Sequence, residues 1–270
     1  MNFKSESMTL NFAGSVAYLT FKGLEKYDFL SHAFSTRLGG VSKNEFESMN
    51  LSHSVPDIAW NVEKNHEIFC SALNYNRNFL VSGKQVHGNK IKVITSNDVK
   101  NHNLKFEGFD GFITNIPRVV LETFHADCCP VYMLDPKLRV VGLAHAGWRG
   151  TVSKIAENLA ENFVSNFGSD KEDIICALGP AIGECCFEVL SDVKNEFENL
   201  NLKMDFKKIG DKFSIDLEEV NRQILINYGI APENIFKSDV CTSCNHELLF
   251  SHRFSGGKRG NNAAFISIIK

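Results

Sequence analysis

Charge of one sign is what this 270-residue chain lacks: 29 Lys and Arg stand against 32 Asp and Glu, a formal net charge of −3. Without an overall basic field, nothing draws the backbone of a nucleic acid to it, and an anionic ligand must be met by local groups. Trp and Tyr are scarce, 2 and 5 residues against 22 Phe. The aromatic content therefore belongs to an apolar interior and not to a surface that stacks sugars or bases. No run of about 18 apolar residues is present to span a bilayer. Met1 to Phe12 carries neither a basic segment leading into an apolar one nor a cleavage signal. The expectation is a cytoplasmic chain that engages neither membrane nor nucleic acid. No Pro/Ser-rich linker, low-complexity tract or repeat divides it, so residues 1–270 are read as a single domain.

What is present begins with eight cysteines, at positions 70, 128, 129, 176, 185, 186, 241 and 244. In a chain without export features these fit reduced thiols with metal or catalytic roles better than a disulfide framework.

Val62, Asn65/His66, Phe69 and Leu73 recur at helical spacing after a turn at Pro56-Asp57. Two β-like runs, Val131 to Leu134 and Leu138 to Leu143, flank Asp135-Pro136-Lys137 and predict a hairpin. Val152, Ile155, Ala156, Leu159, Phe163 and Phe167 then predict a helix with Thr151 as cap and Gly168 as stop. A strand over Ile174 to Leu178, a helix over Leu217 to Tyr228 and a terminal strand over Ala263 to Ile269 complete the pattern. Interleaved strands and helices with hairpin connections predict an α+β (mixed α/β) fold, its mixed sheets covered by helices.

The hairpin carries the first chemical inference. With its turn centred between Pro136 and Lys137, Cys128 and His145 face each other. Opposed residues of an antiparallel pair share a face with Cβ atoms about 4.5–5.5 Å apart, close enough to hold one ion between them. Cys129 points to the other face, and a one-residue slip would exchange the two cysteines. A thiolate and an imidazole suit zinc or copper, and a catalytic zinc site adds a third protein ligand and an open position. His87, His125, His246 and His252 are the candidates for that third ligand.

Thr36-Arg37-Leu38-Gly39-Gly40-Val41-Ser42, Gln85-Val86-His87-Gly88, Ala126-Asp127-Cys128-Cys129-Pro130-Val131 and His145-Ala146-Gly147-Trp148-Arg149-Gly150 occur in this order, followed by Gly179-Pro180-Ala181-Ile182-Gly183, Cys241-Thr242 and Ser251-His252-Arg253. In these strings the chain resembles the YfiH-type family, whose members are called polyphenol oxidases (laccases) or purine nucleoside phosphorylases. The resemblance runs from about Asp28 to the C-terminus. It implies a YfiH-like fold and a metal held by His87, Cys128 and His145. The chain departs from the pattern at Glu184, where proline is common, and at Lys258-Arg259-Gly260, where Thr-Gly-Arg is usual. Arg259 is left without an assigned role.

Around that centre, Asp127 is a candidate to orient a water or a ligand imidazole; a strand-end hydrogen bond explains it equally well. Gly147, Arg149 and Gly150 lie where a strand enters a helix, a place to receive phosphate or ribose oxygens. Arg37, in its Gly-Gly loop, joins Arg149 and Arg253 as a candidate phosphate contact, with Ser42 nearby; each arginine has a structural ion pair as its alternative. Cys241-Thr242-Ser243-Cys244-Asn245-His246 resembles half a zinc finger, but no second ligand pair follows at finger spacing. Cys185-Cys186 reads as two small, half-buried residues. The Gly256-Gly257-Lys258 loop lacks the glycine of a phosphate loop at His252.

Several activities compete for one metal centre. One is zinc-dependent purine nucleoside chemistry, with phosphorolysis of adenosine, inosine or methylthioadenosine and deamination of adenosine, Cys128, Asp127 and Arg149 forming the catalytic group. Another is copper-dependent phenol oxidation. Multicopper centres commonly draw on His-x-His pairs, which none of the nine histidines form. A third is a cysteine hydrolase editing peptidoglycan precursors, with Cys128 as nucleophile and His145 as base. A non-enzymatic zinc protein is the remaining reading. The expected ligands are a nucleoside and phosphate, in a monomer or homodimer.

Overall fold

The computed structural model describes residues 3–270 and arranges them as two large mixed sheets packed face to face, with helices over the outer faces. Met8–Ala13 (β1) and Val16–Phe21 (β2) form a hairpin, followed by Leu30–Ser35 (β3) and the helix Ala59–Ala72 (α1). Leu80–Lys84 (β4), Ile91–Val93 (β5), the short helix Ser96–Lys100 (α2), Lys105–Glu107 (β6) and Gly111–Thr114 (β7) come next. Val120–His125 (β8), Cys129–Asp135 (β9) and Val140–Ala146 (β10) then lead into the helices Trp148–Val152 (α3) and Ile155–Phe167 (α4). After them come Ile175–Leu178 (β11), Glu188–Val189 (β12), Ser191–Glu198 (α5), Lys208–Ile209 (β13) and Lys212–Ser214 (β14). Leu217–Tyr228 (α6), Ile235–Lys237 (β15), His252–Ser255 (α7) and Asn262–Ile268 (β16) close the chain.

One sheet has the order β1-β2-β3-β16-β8-β4-β6, the second β15-β11-β9-β10-β7-β5, and β12-β14-β13 make a small third. Parallel pairs, such as β4 with β8 and β5 with β7, stand beside antiparallel ones, so the sheets are mixed, as the interleaved sequence pattern predicts. The two-residue period of a strand sorts the core into layers. In β9, Tyr132 and Leu134 face the other sheet, while Cys129, Val131 and Met133 face α4 and α6. In β16, Ala264 and Ile266 point inward and Phe265 outward, stacking on Phe69 of α1 with ring centroids 4.7 Å apart. The buried Tyr132 hydroxyl donates to the Ala33 carbonyl at 2.8 Å and ties the sheets together. No helix among the described residues is long and apolar enough to cross a membrane.

The hairpin register differs from expectation by two residues: Asp135 pairs with Val140 and His145 with Pro130. Asp135 is the cause. Its Oδ1 accepts from the N–H groups of Lys137 and Leu138 at 2.8 and 2.9 Å, and with Arg139 at φ 52° the turn widens to residues 136–139. A shift of two preserves the face. Cys128 and His145 are therefore diagonal neighbours and not opposed ones, and Cys129 still points into the α4 layer. The helix after the hairpin also differs. Lys154 adopts φ 59° and breaks it into α3 and α4, so Thr151 lies inside α3 and caps nothing, whereas Gly168, at φ 74°, stops α4 as predicted.

Two predictions follow from the packing of the outer helices. Phe163 of α4 is fully buried against β10, where a Cβ at Gly142 would come within 2.7 Å of its ring. Phe163→Ala is expected to cost about 3–5 kcal/mol, seen as a lower urea midpoint with unchanged slope.

On the opposite face, α1 is pinned by His66, whose Nε2 donates to Glu122 Oε1 at 2.9 Å and whose Nδ1 donates to the Val62 carbonyl at 3.0 Å. Burial disfavours the imidazolium, but the Glu122 carboxylate outweighs it and the His66 pKa is raised. A pKa raised by folding stabilises fully below the ordinary histidine value of about 6.5 and is lost as pH climbs through the folded value. The stability gap between wild type and His66→Gln should therefore narrow as pH rises above about 6.5 in urea titrations; a gap that widens would contradict the pairing.

Candidate metal centre

The ligand atoms of His87, Cys128 and His145 all lie within 4.8 Å of one another. They come from three places: His87 from the loop after β4, Cys128 from the loop before β9, and His145 from the end of β10. Their parity directs Cys128 and His145 into one end of the space between the two sheets. The donor set fits zinc or copper, with three protein ligands and room for a fourth group.

Asp110, just before β7, organises the centre. Its fully buried carboxylate accepts from the N–H groups of Val86, His87 and Gly88 at 3.1, 2.9 and 2.9 Å, holding His87 at φ 58°. His145 Nδ1 donates to the same carboxylate at 3.1 Å, which leaves Nε2 for a metal. Burial works against the Asp110 charge, yet His145 and the amides outweigh it and the pKa is lowered. The Cys128 thiol follows the same logic: burial raises it, but His145 and His87 bring it down to about 6, toward the thiolate that a metal requires. Burial disfavours the charge on His145, and Cys128 and Asp110 together still raise it to about 9. A divalent cation would replace the positive charge that these imidazoles supply.

Gly147 makes the site possible through space. A Cβ there would stand 2.7 Å from His87 Nδ1 and 3.1 Å from Cys128 Sγ. Gln85 fixes the same loop to β8, its amide donating to the Phe124 carbonyl at 2.9 Å and accepting from the Phe124 N–H at 2.7 Å. His125 is no ligand, because both its ring nitrogens are engaged, with Thr123 Oγ1 at 2.8 Å and the Cys128 carbonyl at 3.1 Å. His246 stacks on Phe254, and His252 Nδ1 lies 3.4 Å from the Arg259 guanidinium.

A cavity of about 1040 Å³ opens over the centre, its wall including Trp148, Arg149, Phe187, Arg253, Arg259 and Asn261. Arg149 is exposed and lies over the Trp148 ring at 4.2 Å. The Arg253 guanidinium donates to the carbonyls of Cys186 and Glu188 at 2.8 and 3.1 Å. Asp127 lies at the wall, but its oxygens accept from Thr242 Oγ1 and the Arg253 N–H, each at 2.6 Å, and not from a ligand imidazole.

Arg37 and Ser42 are the corrections. Neither lines the cavity. Arg37 donates to the carbonyls of Glu47 and His246, both at 2.9 Å, and packs over Phe250. Ser42 donates to Asp57 at 2.6 Å and accepts from Asn65 at 2.9 Å. Their loop is built to dock on α1 and the 246–250 segment.

Sequence reasoning overlooked Asp110. The rule that a ligating histidine gives its second nitrogen to a carboxylate was the signal available, with Asp110-Gly111 directly before a strand as the place to apply it. Arg259, left unassigned, lines the cavity with its Nε buried and unpartnered.

Fold and site together define a two-sheet α+β protein with a His-Cys-His cluster able to hold a metal beneath a large cavity. Residues 31–269 match the family described as "Multi-copper polyphenol oxidoreductase laccase", and the chain belongs to that family. It is 34% identical over 242 residues to "Purine nucleoside phosphorylase YlmD" of Bacillus subtilis (strain 168), covering 87% of each chain. It is 33% identical over 251 residues to "Adenosine deaminase RL5" of an unknown prokaryotic organism, covering 88% of this chain and 95% of that one. The crystal structure of the Bacillus licheniformis hypothetical protein YfiH superposes with a TM-score of 0.89 at 33% identity, covering 98% of this chain and 100% of that one. The chain is an enzyme of this family.

Gly147→Ala is expected to weaken metal binding at this centre about 10–100-fold, the range seen when groups around a ligand shell are disturbed. Competition with a chromophoric chelator reads the change; wild-type affinity in the variant would mean that His87 and Cys128 do not approach as described.

Proposed function

We propose that the chain is a zinc-dependent purine nucleoside enzyme. It would cleave inosine and adenosine, and methylthioadenosine by the same chemistry, with phosphate, and deaminate adenosine with water. The observation that carries this reading is the placement of Arg149 and Arg259 on the wall of a 1040 Å³ cavity with the His87, Cys128 and His145 centre beneath it. That volume lies at the upper end of small-molecule sites, about 300–1,000 Å³, enough for a nucleoside and an anion together. The printed names of the relatives, a purine nucleoside phosphorylase and an adenosine deaminase, agree with it.

His87, Cys128 and His145 would hold the ion, which when bound supplies a Lewis acid able to bring the pKa of water to about 7. Asp110 keeps His145 in one tautomer and fixes the His87 loop. Trp148 and Phe187 offer apolar surface to a purine, and Arg149 and Arg259 offer positive charge to phosphate. A three-ligand set with an open position favours zinc.

Phenol oxidation with copper is the second reading, favoured by the family description. Among the described residues, the only other group able to hold a metal is made of four cysteines, so a one-copper oxidase would be slow. Commitment of the Cys128 thiolate to a metal also disfavours its use as a free hydrolase nucleophile.

The test follows inosine and adenosine with and without phosphate. Inosine should give hypoxanthine and a ribose phosphate only when phosphate is present, and adenosine should be deaminated without it. Arg149→Ala combined with Arg259→Ala should lower phosphorolysis about 10–100-fold, the worth of a charge-assisted contact of about 1.5–3 kcal/mol, and leave deamination much less affected. Cys128→Ala should remove both. Equal losses in the arginine variant, or inosine cleavage indifferent to phosphate, would sink the assignment.

A further inference from the structure

A second cluster lies outside the centre just described. The sulfurs of Cys185, Cys186, Cys241 and Cys244 all fall within 4.8 Å of one another. Cys244 Sγ is 3.6 Å from Cys185 Sγ and 3.5 Å from Cys186 Sγ, and the Gly183 N–H donates to Cys241 Sγ at 3.2 Å. The missing half of the zinc-finger-like Cys241-x-x-Cys244 string is thus supplied by the vicinal pair some 58 residues earlier, and not by a pair at finger spacing. A bridge between Ala181 and Cys241 and a Thr242 N–H donating to the Ala181 carbonyl at 2.9 Å bring the segments together. The turn at residues 184–186 lets both adjacent cysteines reach one point, which an extended strand would forbid.

We propose that Cys185, Cys186, Cys241 and Cys244 form a structural tetrahedral zinc site that staples the 181–186 loop to the 241–244 turn. Zinc bound by four thiolates has Zn–S bonds of about 2.3 Å, which sets its sulfurs about 3.8 Å apart. The observed separations are already near that value. Binding transfers the thiol protons to solvent and leaves four thiolates on one Zn²⁺, with no position open for substrate.

The staple also bears on the cavity. Arg253 donates to the Cys186 carbonyl, and Thr242, between the two later cysteines, donates to Asp127, the neighbour of Cys128. Closing the four-cysteine site would fix both segments that back the cavity wall. Its role is positioning, and it does not depend on the proposed nucleoside chemistry.

The test counts zinc in protein prepared with a phosphine reductant. Wild type should hold about two ions per chain, Cys128→Ala about one, Cys185→Ser with Cys244→Ser about one, and the triple variant none. Cys185 and Cys244 are both exposed, so serine at these positions should leave folding intact. Cobalt(II) gives a second readout: charge transfer in the Cys128→Ala protein should be about four times as intense as in the Cys185→Ser/Cys244→Ser protein, following the number of thiolates. Retention of activity with Cys185→Ser/Cys244→Ser alongside loss of one zinc would still support the site. The proposal is overturned if Cys128→Ala holds no zinc, if the double serine variant keeps the wild-type count, or if the four thiols are found as disulfides that exclude metal.

Discussion

The carboxylate of Asp110 is the constraint on which the centre depends. It takes three backbone N–H groups from one loop and an imidazole N–H from another strand, so one buried charge fixes two of the three candidate ligands. Sheet register places it there. Ala144 pairs with Gly111 across β10 and β7, and the ladder continues one step further with the His145 N–H donating to the Asp110 carbonyl at 2.7 Å. The parallel pairing of β5 with β7 and the Asp110 N–H donating to the Lys90 carbonyl at 3.1 Å bring the His87 loop to the same point. An uncompensated carboxylate in that position would carry a large desolvation cost. Its satisfaction by four donors explains why the loop holds a left-handed histidine at all.

Legibility in the sequence followed distance along the chain. The hairpin was readable because its period and turn are local, and its two-residue register error came from one side chain, Asp135, that reaches into the turn it precedes. Gly168 and the α6 limits were readable for the same reason. His87 was one of four candidate histidines and was singled out only through the family resemblance, since no spacing connects it with Cys128. Asp110 escaped because its partners are set by pairing between strands and not by position in a motif. Arg37 misled in the opposite direction: a Gly-Gly loop resembles an anion cradle, but its guanidinium meets a carbonyl 209 positions away.

Glycines in the chain illustrate how a motif can be conformationally ordinary and still be required. Gly147 has φ −69°, available to any residue, and its requirement is the volume beside His87 and Cys128. Gly142 is likewise a strand residue whose missing side chain admits the Phe163 ring. Space and not backbone freedom decides both positions, so loop propensity alone would misjudge them.

All eight cysteines are unpaired by disulfides, and their surroundings sort them chemically. Cys70, Cys129 and Cys176 are buried in apolar layers where desolvation raises their pKa values, which makes them inert packing groups. Cys128 lies in the loop just before β9 while its neighbour Cys129 opens the strand, and Cys128 meets two histidines and is driven toward thiolate. The entry into β9 therefore separates a candidate metal ligand from a core residue at adjacent positions. Asp127 extends the consequence outward. Held at φ 86°, it directs the chain into Cys128 on one side and takes hydrogen bonds from Thr242 and Arg253 on the other. The backbone that presents the Cys128 thiol is thereby anchored to the segment that carries Cys241 and Cys244.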